Sequence, residues 1–485
     1  MPRLSRRSFL AASAAVLARP ARSAPAPTAP PDDIVIVGAG AAGIAAARRI
    51  GAAGRRAVIL EASDRVGGRC ITDTRTFGVP FDRGAHWLYS PDLNPLTKLP
   101  PLGGIALYPA PPSQKVRIGR RFAREGELED FLAAEVRAVR AIGDAARRAD
   151  VPCEQVLPND LGDWRSTIEF VLGPYGCSKD LAYVSSVDLS KSAERTRATF
   201  CRQGVGALVA ALAEGLNVHL STPVRAIDSR GTPRVETAKG TLTPRAVIVT
   251  ASTNVIAAGR IQFTPELPHR SFDAFRMLSL GSYDHIALEL KGNPLGLESD
   301  DLVFEKSTDN RTAALLANVS GTPLCLVDVG GAFGRDVSAQ GEAAMVAFAT
   351  DWLADLFGAE IKKAVGRTQA TRWNAEPWIL GAASAAVPGG QAARRILLEP
   401  VNDTVWFAGE AAHETLWGTV GGAWESGERA ADAVLRRIVP PRPAASAESR
   451  PAPRRREPHV RAEARSQRRE EFPPNGTPTI MREER

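Results

Sequence analysis

Short runs of apolar residues alternate along the chain with segments in which apolar residues recur every three or four positions. The runs at 34–37, 57–60, 246–251 and 405–408 are mostly apolar, rich in β-branched residues, and short enough for strands buried on both faces. An alanine-rich segment, 44–50, follows the first run and predicts a helix. Buried strands joined by helices are typical of a parallel sheet, so we predict an α/β fold.

A glycine turn connects the first strand to this helix. Gly38 permits the tight turn, Gly40 lets the backbone approach a pyrophosphate, and Gly43, just after Ala42, lets the helix pack closely on the strand. Glu61 ends the second strand about 20 residues after the glycines, where a carboxylate would bind ribose hydroxyls. The free N–H groups at the helix N-terminus would bind phosphates. Together these features predict a Rossmann-like dinucleotide-binding domain, although a lone glycine motif would be weak evidence.

A second glycine pair, flanked by arginines, follows Glu61. The segment contains, in order, Ala62, Arg65, Gly67, Gly68 and Arg69. The glycines allow close backbone approach, and the arginines supply planar forks suited to phosphate. This run resembles the FAD-binding N-terminus of the flavin amine oxidase family, which includes monoamine oxidases, polyamine oxidases, L-amino acid oxidases and histone-lysine demethylases. The resemblance implies FAD, bound by a GR2-type domain; a surface turn with exposed arginines is the alternative.

Two further segments resemble parts of the same family. Residues 81–87 resemble its D-x-G-A-x-W segment, in which small residues let the backbone pass the flavin ring. The cofactor contacts implied there are those of Gly84, Ala85, His86 and Trp87. Trp87 is equally typical of a core residue. The resemblance also implies that backbone near Val224 meets the adenine end.

The C-terminal part of the chain carries a second strong resemblance. A strand ends at Gly409 and Glu410, and a helix is predicted to start near 418–421. The family resemblance implies that Glu410 binds the ribityl chain. The helix N-terminus, with Thr419 and Val420, would face the flavin edge that becomes negative on reduction. A plain strand–helix unit is the alternative.

Three positions are predicted to act at the reacting end of the cofactor. Many family members hold a water on flavin N5 with a lysine, and His285 takes that place here, with a charge expected to titrate near neutrality. Trp373 is the expected cavity wall, and Thr419 replaces a tyrosine of the monoamine oxidase aromatic cage. Ala382 stands where monoamine oxidases attach the flavin to cysteine, which implies non-covalent FAD. Further candidates for the cavity are His86, Trp378, His413 and Trp417.

The segments between the dinucleotide motifs are predicted to form an inserted α+β substrate domain. A helix is predicted where Leu128, Phe131, Leu132, Val136 and Val139 follow helical spacing, and we expect these residues to face the core. The predicted domains are an FAD-binding domain at 32–88, 202–258 and 396–438, and a substrate domain at 89–201 and 259–395.

Composition narrows the class of function only slightly. The chain has 485 residues, is 44% hydrophobic, and carries a formal charge of +7 that is concentrated in the termini. No stretch interleaves aromatic and basic residues, so nucleic-acid binding is not expected. The five scattered cysteines lack the spacing of a metal site, and buried free thiols are favoured over a Cys153–Cys177 disulfide.

Both termini are predicted to lie outside the folded domains. Twin arginines before Phe9 and Leu10, followed by a short apolar run, resemble a Tat export signal within residues 1–31. The run is too short for a stable membrane anchor. We therefore expect export to the periplasm by the Tat machinery, with a disordered basic tail as the alternative. Residues 440–485 are rich in Pro, Ala, Arg and Glu, and we expect them to be disordered.

Taken together, the resemblance implies an FAD-dependent amine oxidase that converts a primary or secondary amine to an imine, with O2 as electron acceptor. A dehydrogenase or desaturase using another acceptor is one alternative, and a flavin-binding protein without turnover is another. An L-amino acid oxidase would need an arginine for the substrate carboxylate, and the sequence identifies none. Substrate, acceptor and oligomeric state are not determined by the sequence.

Overall fold

The structure, a computed structural model, describes residues 33–99, 102–112, 114–195 and 197–438. Its strands in chain order are β1 (Ile34–Val37), β2 (Ala57–Leu60), β3 (Thr72–Asp73), β4 (Phe81–Asp82), β5 (Leu88–Tyr89), β6 (Leu107–Pro109), β7 (Gln114–Ile118), β8 (Arg121–Phe122), β9 (Ala198–Cys201), β10 (Val218–His219), β11 (Val224–Asp228), β12 (Arg234–Thr237), β13 (Gly240–Leu242), β14 (Ala246–Val249), β15 (Gln262–Thr264), β16 (Tyr283–Leu290), β17 (Asp301–Glu305), β18 (Ala314–Ala317), β19 (Leu324–Gly330), β20 (Val365–Ala370) and β21 (Val405–Phe407).

The α-helices of the same residues are α1 (Ala41–Ala52), α2 (Glu125–Ala146), α3 (Arg165–Phe170), α4 (Ser186–Lys191), α5 (Val205–Leu212), α6 (Thr253–Ala257), α7 (His269–Met277), α8 (Gly331–Ala339), α9 (Glu342–Phe357), α10 (Ile361–Ala364), α11 (Ala393–Ile396) and α12 (Val420–Ile438). A π-helical turn, Val171–Tyr175, continues α3. Short 3-10 turns lie at Pro95–Lys98, Cys153–Val156, Asn159–Trp164, Leu181–Tyr183, Val319–Gly321, Trp373–Ala375 and Glu410–Ala412.

The predicted buried strands form one parallel sheet in the order β10-β2-β1-β14-β21. Every neighbouring pair in this sheet is parallel. Because successive side chains of a strand point to opposite faces, β1 contributes Ile34 and Ile36 to one hydrophobic cluster and Val35 and Val37 to another. An apolar run without polar alternation is therefore what a strand with two covered faces requires. This confirms the predicted α/β fold with a Rossmann-like parallel sheet.

One face of this sheet is covered by α1 and α12, the first and last helices of the described chain. Ala46 and Ile50 of α1 and Val434 of α12 belong to the same cluster as Ile34. The two helices approach closely, because a Cβ placed on Gly427 of α12 would lie only 2.0 Å from Ala42 O. Residues separated by most of the sequence thus share one core.

A larger mixed sheet, in the order β20-β16-β19-β18-β17-β7-β8, forms the second part of the molecule. Its strands come from the two segments predicted as a substrate domain, whereas the parallel sheet draws on the three segments predicted to bind FAD. The four-stranded sheet β13-β12-β11-β15 joins both, because β15 lies in a predicted substrate segment and pairs with β11. The domain boundaries themselves stay predictions.

Helix α2 forms where the periodicity predicts it, but the predicted buried face is correct only for Phe131 and, in part, Leu128. Leu132, Val136 and Val139 are exposed by 41%, 58% and 52%. The buried face consists of Phe131, Ala134, Ala138, Ile142 and Ala145. The three alanines fit the close contact between α2 and α4, while Leu132, Val136 and Val139 point to solvent. A pattern of large apolar residues does not reveal this face fully, because three of its five members are alanines.

The remaining sequence expectations have mixed outcomes. All five cysteines are buried and free, which confirms free thiols over the Cys153–Cys177 disulfide. His219 lies exposed at the end of β10. No helix of the described residues combines the length and apolar character needed to cross a bilayer. The predicted signal and linker, 1–31, and the predicted disordered tail, 440–485, lie outside the described residues.

Candidate active site

One elongated cavity collects nearly all the residues predicted to bind cofactor or substrate. Its wall includes Gly38, Gly40, Ala42, Glu61, Ala62, Arg65, Gly68, Arg69, Gly84, Ala85, His86, Trp87, Val224, His285, Trp373, Gly409, Glu410, Thr419 and Val420. Gly43 does not line it and instead packs under the turn, where a Cβ would lie 2.0 Å from Gly38 O. Trp417 and His413 do not line it either. Trp378 lies at the wall with 42% of its surface exposed.

The dinucleotide arm of the cavity begins at the turn between β1 and α1. Gly38 has φ +104°, and a Cβ there would lie 2.6 Å from Thr250 Oγ1. Gly40 caps α1 without any side-chain hydrogen bond to the first-turn N–H groups. These N–H groups have no intrahelical partner, so the turn presents donors and a positive dipole end to an anion.

The carboxylate of Glu61 holds this turn in place. Its Oε2 accepts the backbone N–H of Ala39 at 2.6 Å, and its Oε1 accepts the N–H and the hydroxyl of Ser63, both at 2.8 Å. Glu61 is buried at the C-terminal end of β2 and lines the cavity. The residue therefore orders the loop as well as standing where ribose hydroxyls are expected.

The two predicted arginines act differently from each other. Arg65 Nη1 donates to Gly68 O at 3.0 Å and so braces the glycine pair. Arg69 Nη1 donates to Glu410 Oε1 at 2.8 Å and to Ala382 O. Arg69 thereby ties the N-terminal glycine segment to the C-terminal one, a connection that the sequence does not reveal.

Glu410 has little capacity left for a ligand. Its carboxylate accepts Arg69, the Ser384 N–H at 3.1 Å, the Ser384 hydroxyl at 2.5 Å and the Gly418 N–H at 2.8 Å. Burial would raise the pKa of Glu410, but the Arg69 charge and the hydrogen bonds outweigh burial and hold it below its usual value. The carboxylate orders the loops around it. The Gly409 N–H donates to Ser426 Oγ at 2.8 Å, so the Glu410 N–H is the backbone donor of this pair that is left for a cofactor.

Thr419 caps the helix that begins at Val420. Its hydroxyl accepts the Gly422 N–H at 3.0 Å and donates to Leu416 O at 2.7 Å. The side chain expected at the reacting end is thus occupied as a helix cap. Val420 and Gly421 occupy the first turn, where N–H groups have no intrahelical partner. The N-terminus of α12 therefore supplies a second anion-favouring site at the same cavity.

Small residues bring the backbone into the middle of the cavity. A Cβ on Gly84 would lie 2.0 Å from Arg69 O and 2.9 Å from the Trp373 indole. Trp373 is buried, and its Nε1 donates to Arg83 O at 2.9 Å. His86 Nδ1 bonds Asp82 Oδ2 at 2.9 Å, while its Nε2 is buried and has no partner among the described residues. A bound ligand would satisfy the unpartnered ring nitrogen of His86. The close packing at Gly84 leaves no room for a side chain at that position.

His285 is held by two acceptors. Its Nδ1 bonds Asp328 Oδ1 at 2.6 Å, and its Nε2 bonds Gly84 O at 2.7 Å. Since a carbonyl and an ionised carboxylate can only accept, both ring nitrogens carry protons. Burial alone would lower the pKa of His285, but the charge and hydrogen bond of Asp328 raise it to about 9.

The expectation of a histidine titrating near neutrality is therefore wrong. Asp328 also accepts the Tyr283 hydroxyl at 2.7 Å, so the carboxylate is fixed between two neighbours. Both nitrogens of His285 bond protein acceptors. In this geometry neither nitrogen is free to bind a water at the position of the family lysine. The placement of a water by His285 stays a prediction.

The other arm of the cavity ends in an aromatic chamber, which we define as Trp87, Tyr89, Tyr175 and Tyr283. Trp87 stacks on Tyr89 with centroids 5.8 Å apart, and Tyr175 lies 6.0 Å from Tyr283. Burial raises the pKa of Tyr89 to about 12 and those of Tyr175 and Tyr283 well above 10.0, so all three hydroxyls stay neutral. Arg195 also lines the cavity at this end.

Sequence reasoning missed the three tyrosines and Arg195. Each lies alone in a different segment, without a glycine motif or a regular spacing, so the sequence carries no signal that groups them. Among the described residues, no group of three or more His, Cys, Asp or Glu side chains is placed to hold a metal ion. The donors at the cavity fit a phosphate-bearing dinucleotide with an aromatic-walled site beside it.

Comparison with known proteins supports this interpretation of the cavity. The family model described as flavin containing amine oxidoreductase matches residues 41–435. Lysine-specific histone demethylase 2 of Homo sapiens is 27% identical over 83% of this chain and 53% of its own length. Polyamine oxidase 4 of Oryza sativa subsp. japonica is 26% identical over 85% of this chain and 90% of its own. The chain thus spans about half the length of this demethylase and most of the length of this polyamine oxidase.

Solved structures share the fold. Putrescine oxidase bound to putrescine superposes with a TM-score of 0.70 at 20% identity, over 84% of this chain and 99% of its own. Cyclohexylamine oxidase from Brevibacterium oxydans IH-35A gives a TM-score of 0.68 at 20% identity, with the same coverage. The family match extends over most of the sequence, from the start of α1 onward, and includes the cavity segments around Gly67 and Gly409. On this ground the chain belongs to the flavin containing amine oxidoreductase family.

Proposed function

We propose that the flavin implied by family membership is FAD and that the protein binds it without a covalent bond. The observation that carries the proposal is that the N-termini of α1 and α12 open into one cavity, which continues past Gly84 to the aromatic chamber. The first helix suits the pyrophosphate of a dinucleotide, and the second suits the ring edge that gains negative charge on reduction. Ala382 lines the cavity and has no side chain that could form a thioether.

The activity we propose is oxidation of a primary or secondary amine to an imine. When bound, the flavin accepts a hydride equivalent from the carbon beside the amine nitrogen. The chamber side chains exclude water and favour the neutral form of the amine, which is the reactive form. Trp373 packs against Gly84 and fixes the wall between the chamber and the dinucleotide arm.

Oxygen is the electron acceptor that we propose, with hydrogen peroxide as product. A dehydrogenase or desaturase passing electrons to another carrier is the second candidate. One observation favours it: no lysine of the described residues lines the cavity, and both ring nitrogens of His285 are engaged. The rate at which oxygen reoxidises the reduced enzyme, compared with an artificial quinone acceptor, separates the two candidates.

Anaerobic titration of the purified holoprotein with a panel of amines tests the activity. Bleaching of the visible flavin bands by an amine supports it, and bleaching by none favours the flavin-binding protein without turnover. Acid precipitation tests the cofactor, because non-covalent FAD should appear in the supernatant with the mass of FAD. A flavin that stays with the precipitate would contradict non-covalent binding.

Export by the Tat machinery is also a proposal, supported by the twin arginines Arg6 and Arg7 ahead of an apolar run. Changing both arginines to lysine should keep the protein in the cytoplasm, whereas the matched change Arg3→Lys should not. Cell fractionation followed by immunoblotting measures both variants. Equal export of the twin-lysine variant would refute the signal.

A further inference from the structure

A positive charge lies at the chamber end of the cavity without an acidic partner. Arg195 is half-buried and lines the cavity. Its Nη1 donates to Gly176 O at 2.7 Å, and its Nη2 donates to Trp417 O at 2.6 Å. A guanidinium carries five N–H groups, so three of them donate to no residue that the structure describes. The two backbone carbonyls fix the orientation of the Arg195 guanidinium, and its other N–H groups remain as donors for a ligand.

Arg394 packs on the same tryptophan as Arg195 and shows the contacts of an arginine with a structural role. The guanidinium carbon of Arg195 lies 4.7 Å from the Trp417 ring centroid, and that of Arg394 lies 4.8 Å from it. Arg394 is fully buried and pairs with Asp188 through two contacts of 2.7 Å each. Arg195 forms no ion pair with any described carboxylate within 4.0 Å. A partly buried cation without a counter-charge favours the binding of an anionic ligand beside it.

Three acidic residues of the described chain line the cavity: Glu61, Glu376 and Glu410. Glu61 bonds the glycine turn, and Glu410 is saturated by Arg69, Ser384 and Gly418. Burial lowers the pKa of Arg65, and the charge of Glu376 partly offsets this, which places Glu376 at the dinucleotide arm. Arg195 thus has no ion pair with a described carboxylate, and Glu410, which also neighbours Gly418, is already saturated by other donors. A second ammonium group of a diamine or polyamine would find no free counter-charge among the described residues beside Arg195.

The position of Arg195 relative to α12 places it beside the reacting region. Its Nη2 would lie 3.5 Å from a Cβ on Gly418, the residue before the Thr419 cap. Its guanidinium carbon is 5.7 Å from the centroid of the Tyr89 ring in the chamber. A fork of this kind matches a carboxylate with two parallel hydrogen bonds.

We propose that Arg195 binds the carboxylate of the substrate, so that the substrate class is an amino acid or another amine bearing a carboxylate. The inference rests on the proposed amine oxidation and names its substrate class. It departs from the polyamine and putrescine that the names of similar proteins suggest. Arg195 binds and orients the substrate and takes no part in the transfer itself.

Matched substrate pairs test the inference in the wild-type holoprotein. Phenylalanine is compared with phenethylamine, and 4-aminobutyrate with butylamine, by anaerobic stopped-flow reduction of the flavin; putrescine is included. At least one carboxylate-bearing member should reduce the flavin with a second-order rate constant on the order of 100-fold above its partner, the ratio expected for charge-assisted hydrogen bonds. Faster reduction by the carboxylate-free amines or by putrescine would overturn the inference. Reduction by no compound would instead refute the proposed oxidation.

Two variants of the same loop show whether the arginine is the cause. Arg195→Met should lose on the order of 100-fold with the carboxylate-bearing substrate and little with its partner. The matched control is Arg197→Met, because Arg197 is 75% exposed and pairs with Asp92 at the surface. Equal losses with both substrates would mean that Arg195 is only a structural brace, which overturns the inference. If the Met variant does not fold, Arg195→Lys keeps the charge but loses the fork, and the same selective loss is expected.

Binding without turnover gives an independent readout. Benzoate should perturb the flavin absorbance of the wild type and of Arg197→Met. Its dissociation constant should rise on the order of 100-fold in Arg195→Met. An unchanged constant would overturn the inference even if no amine is oxidised. This arm separates failure of the carboxylate site from failure of the proposed oxidation.

Discussion

Replacing Asp328 with asparagine should remove the charge from His285 while keeping a side chain that holds it. An amide nitrogen can donate to Nδ1 of a neutral imidazole, whose Nε2 still donates to Gly84 O. With the carboxylate gone, burial is the main influence left on the ring and lowers the pKa of His285 below its ordinary 6.5. His285 of the variant should be neutral at neutral pH, whereas His285 of the wild type is charged.

The size of the effect follows from the pKa of His285. Its value of about 9 in the folded protein, against 6.5 for the ordinary group, corresponds to about 3 kcal/mol of stabilisation by the protonated ring. Because the folded value is raised, this stabilisation is fully present below pH 6.5 and is lost as the pH rises through 9. The wild type should lose about 3 kcal/mol from this group across the window, and Asp328→Asn should lose none.

Denaturant unfolding of the wild-type and Asp328→Asn holoproteins is measured at the two ends of this pH window. The pH-dependent change in the free energy of unfolding is then compared between the two proteins, so that the contributions of other titrating groups cancel. Asp92→Asn is the control, since Asp92 is 76% exposed in its pair with Arg197 and should leave the pH dependence unchanged. Nitrogen-15 NMR of the histidine rings reports the protonation state directly. Parallel pH profiles for the wild type and Asp328→Asn, or an imidazolium signal for His285 in the variant at neutral pH, would refute the reasoning.

Three further changes test the core and the dinucleotide arm. Gly38→Ala should lower the flavin-to-protein absorbance ratio several-fold, because φ is +104° and the new methyl would meet Thr250 Oγ1 at 2.6 Å; full flavin content would contradict the assigned turn. Arg394→Met should destabilise the fold by about 3–5 kcal/mol in denaturant unfolding, since it strands the buried carboxylate of Asp188, and an unchanged midpoint would show the pair to be dispensable. Val136→Lys should change stability by less than about 0.5 kcal/mol because its side chain is exposed; a loss of several times that would restore the face predicted from sequence.

The parts of the fold that the sequence predicts well are those governed by local rules. β1 and β2 occupy the predicted residues because a continuous apolar run has few alternatives to a strand covered on both faces. The glycine turn is equally local, since its conformation depends on residues within a few positions of Gly38. Helix α2 was predicted for the same reason, but its orientation was not, because alanine is compatible with either face.

The parts of the site that the sequence does not predict depend on contacts between distant segments. The sequence predicts that His285 titrates near neutrality, whereas Asp328, brought beside it by the pairing of β16 with β19, makes the largest contribution to raising its pKa. Glu410 was assigned to the ribityl chain, but Arg69 from the other end of the chain occupies its carboxylate. No sequence motif marks Arg195, because the case for it as a ligand-binding residue depends on the absence of an acidic partner among the described residues of the folded structure.

The packing of α12 on α1 has a consequence for how the protein is made. The first strand of the described residues, β1, lies at the middle of a sheet whose edge strand, β21, spans Val405–Phe407. The sheet that contains the N-terminal glycine turn, and the helices that cover it, are therefore complete only after nearly all of the described residues have been synthesised. Flavin insertion must therefore follow the synthesis of α12, and a nascent chain arrested before α12 should emerge without cofactor.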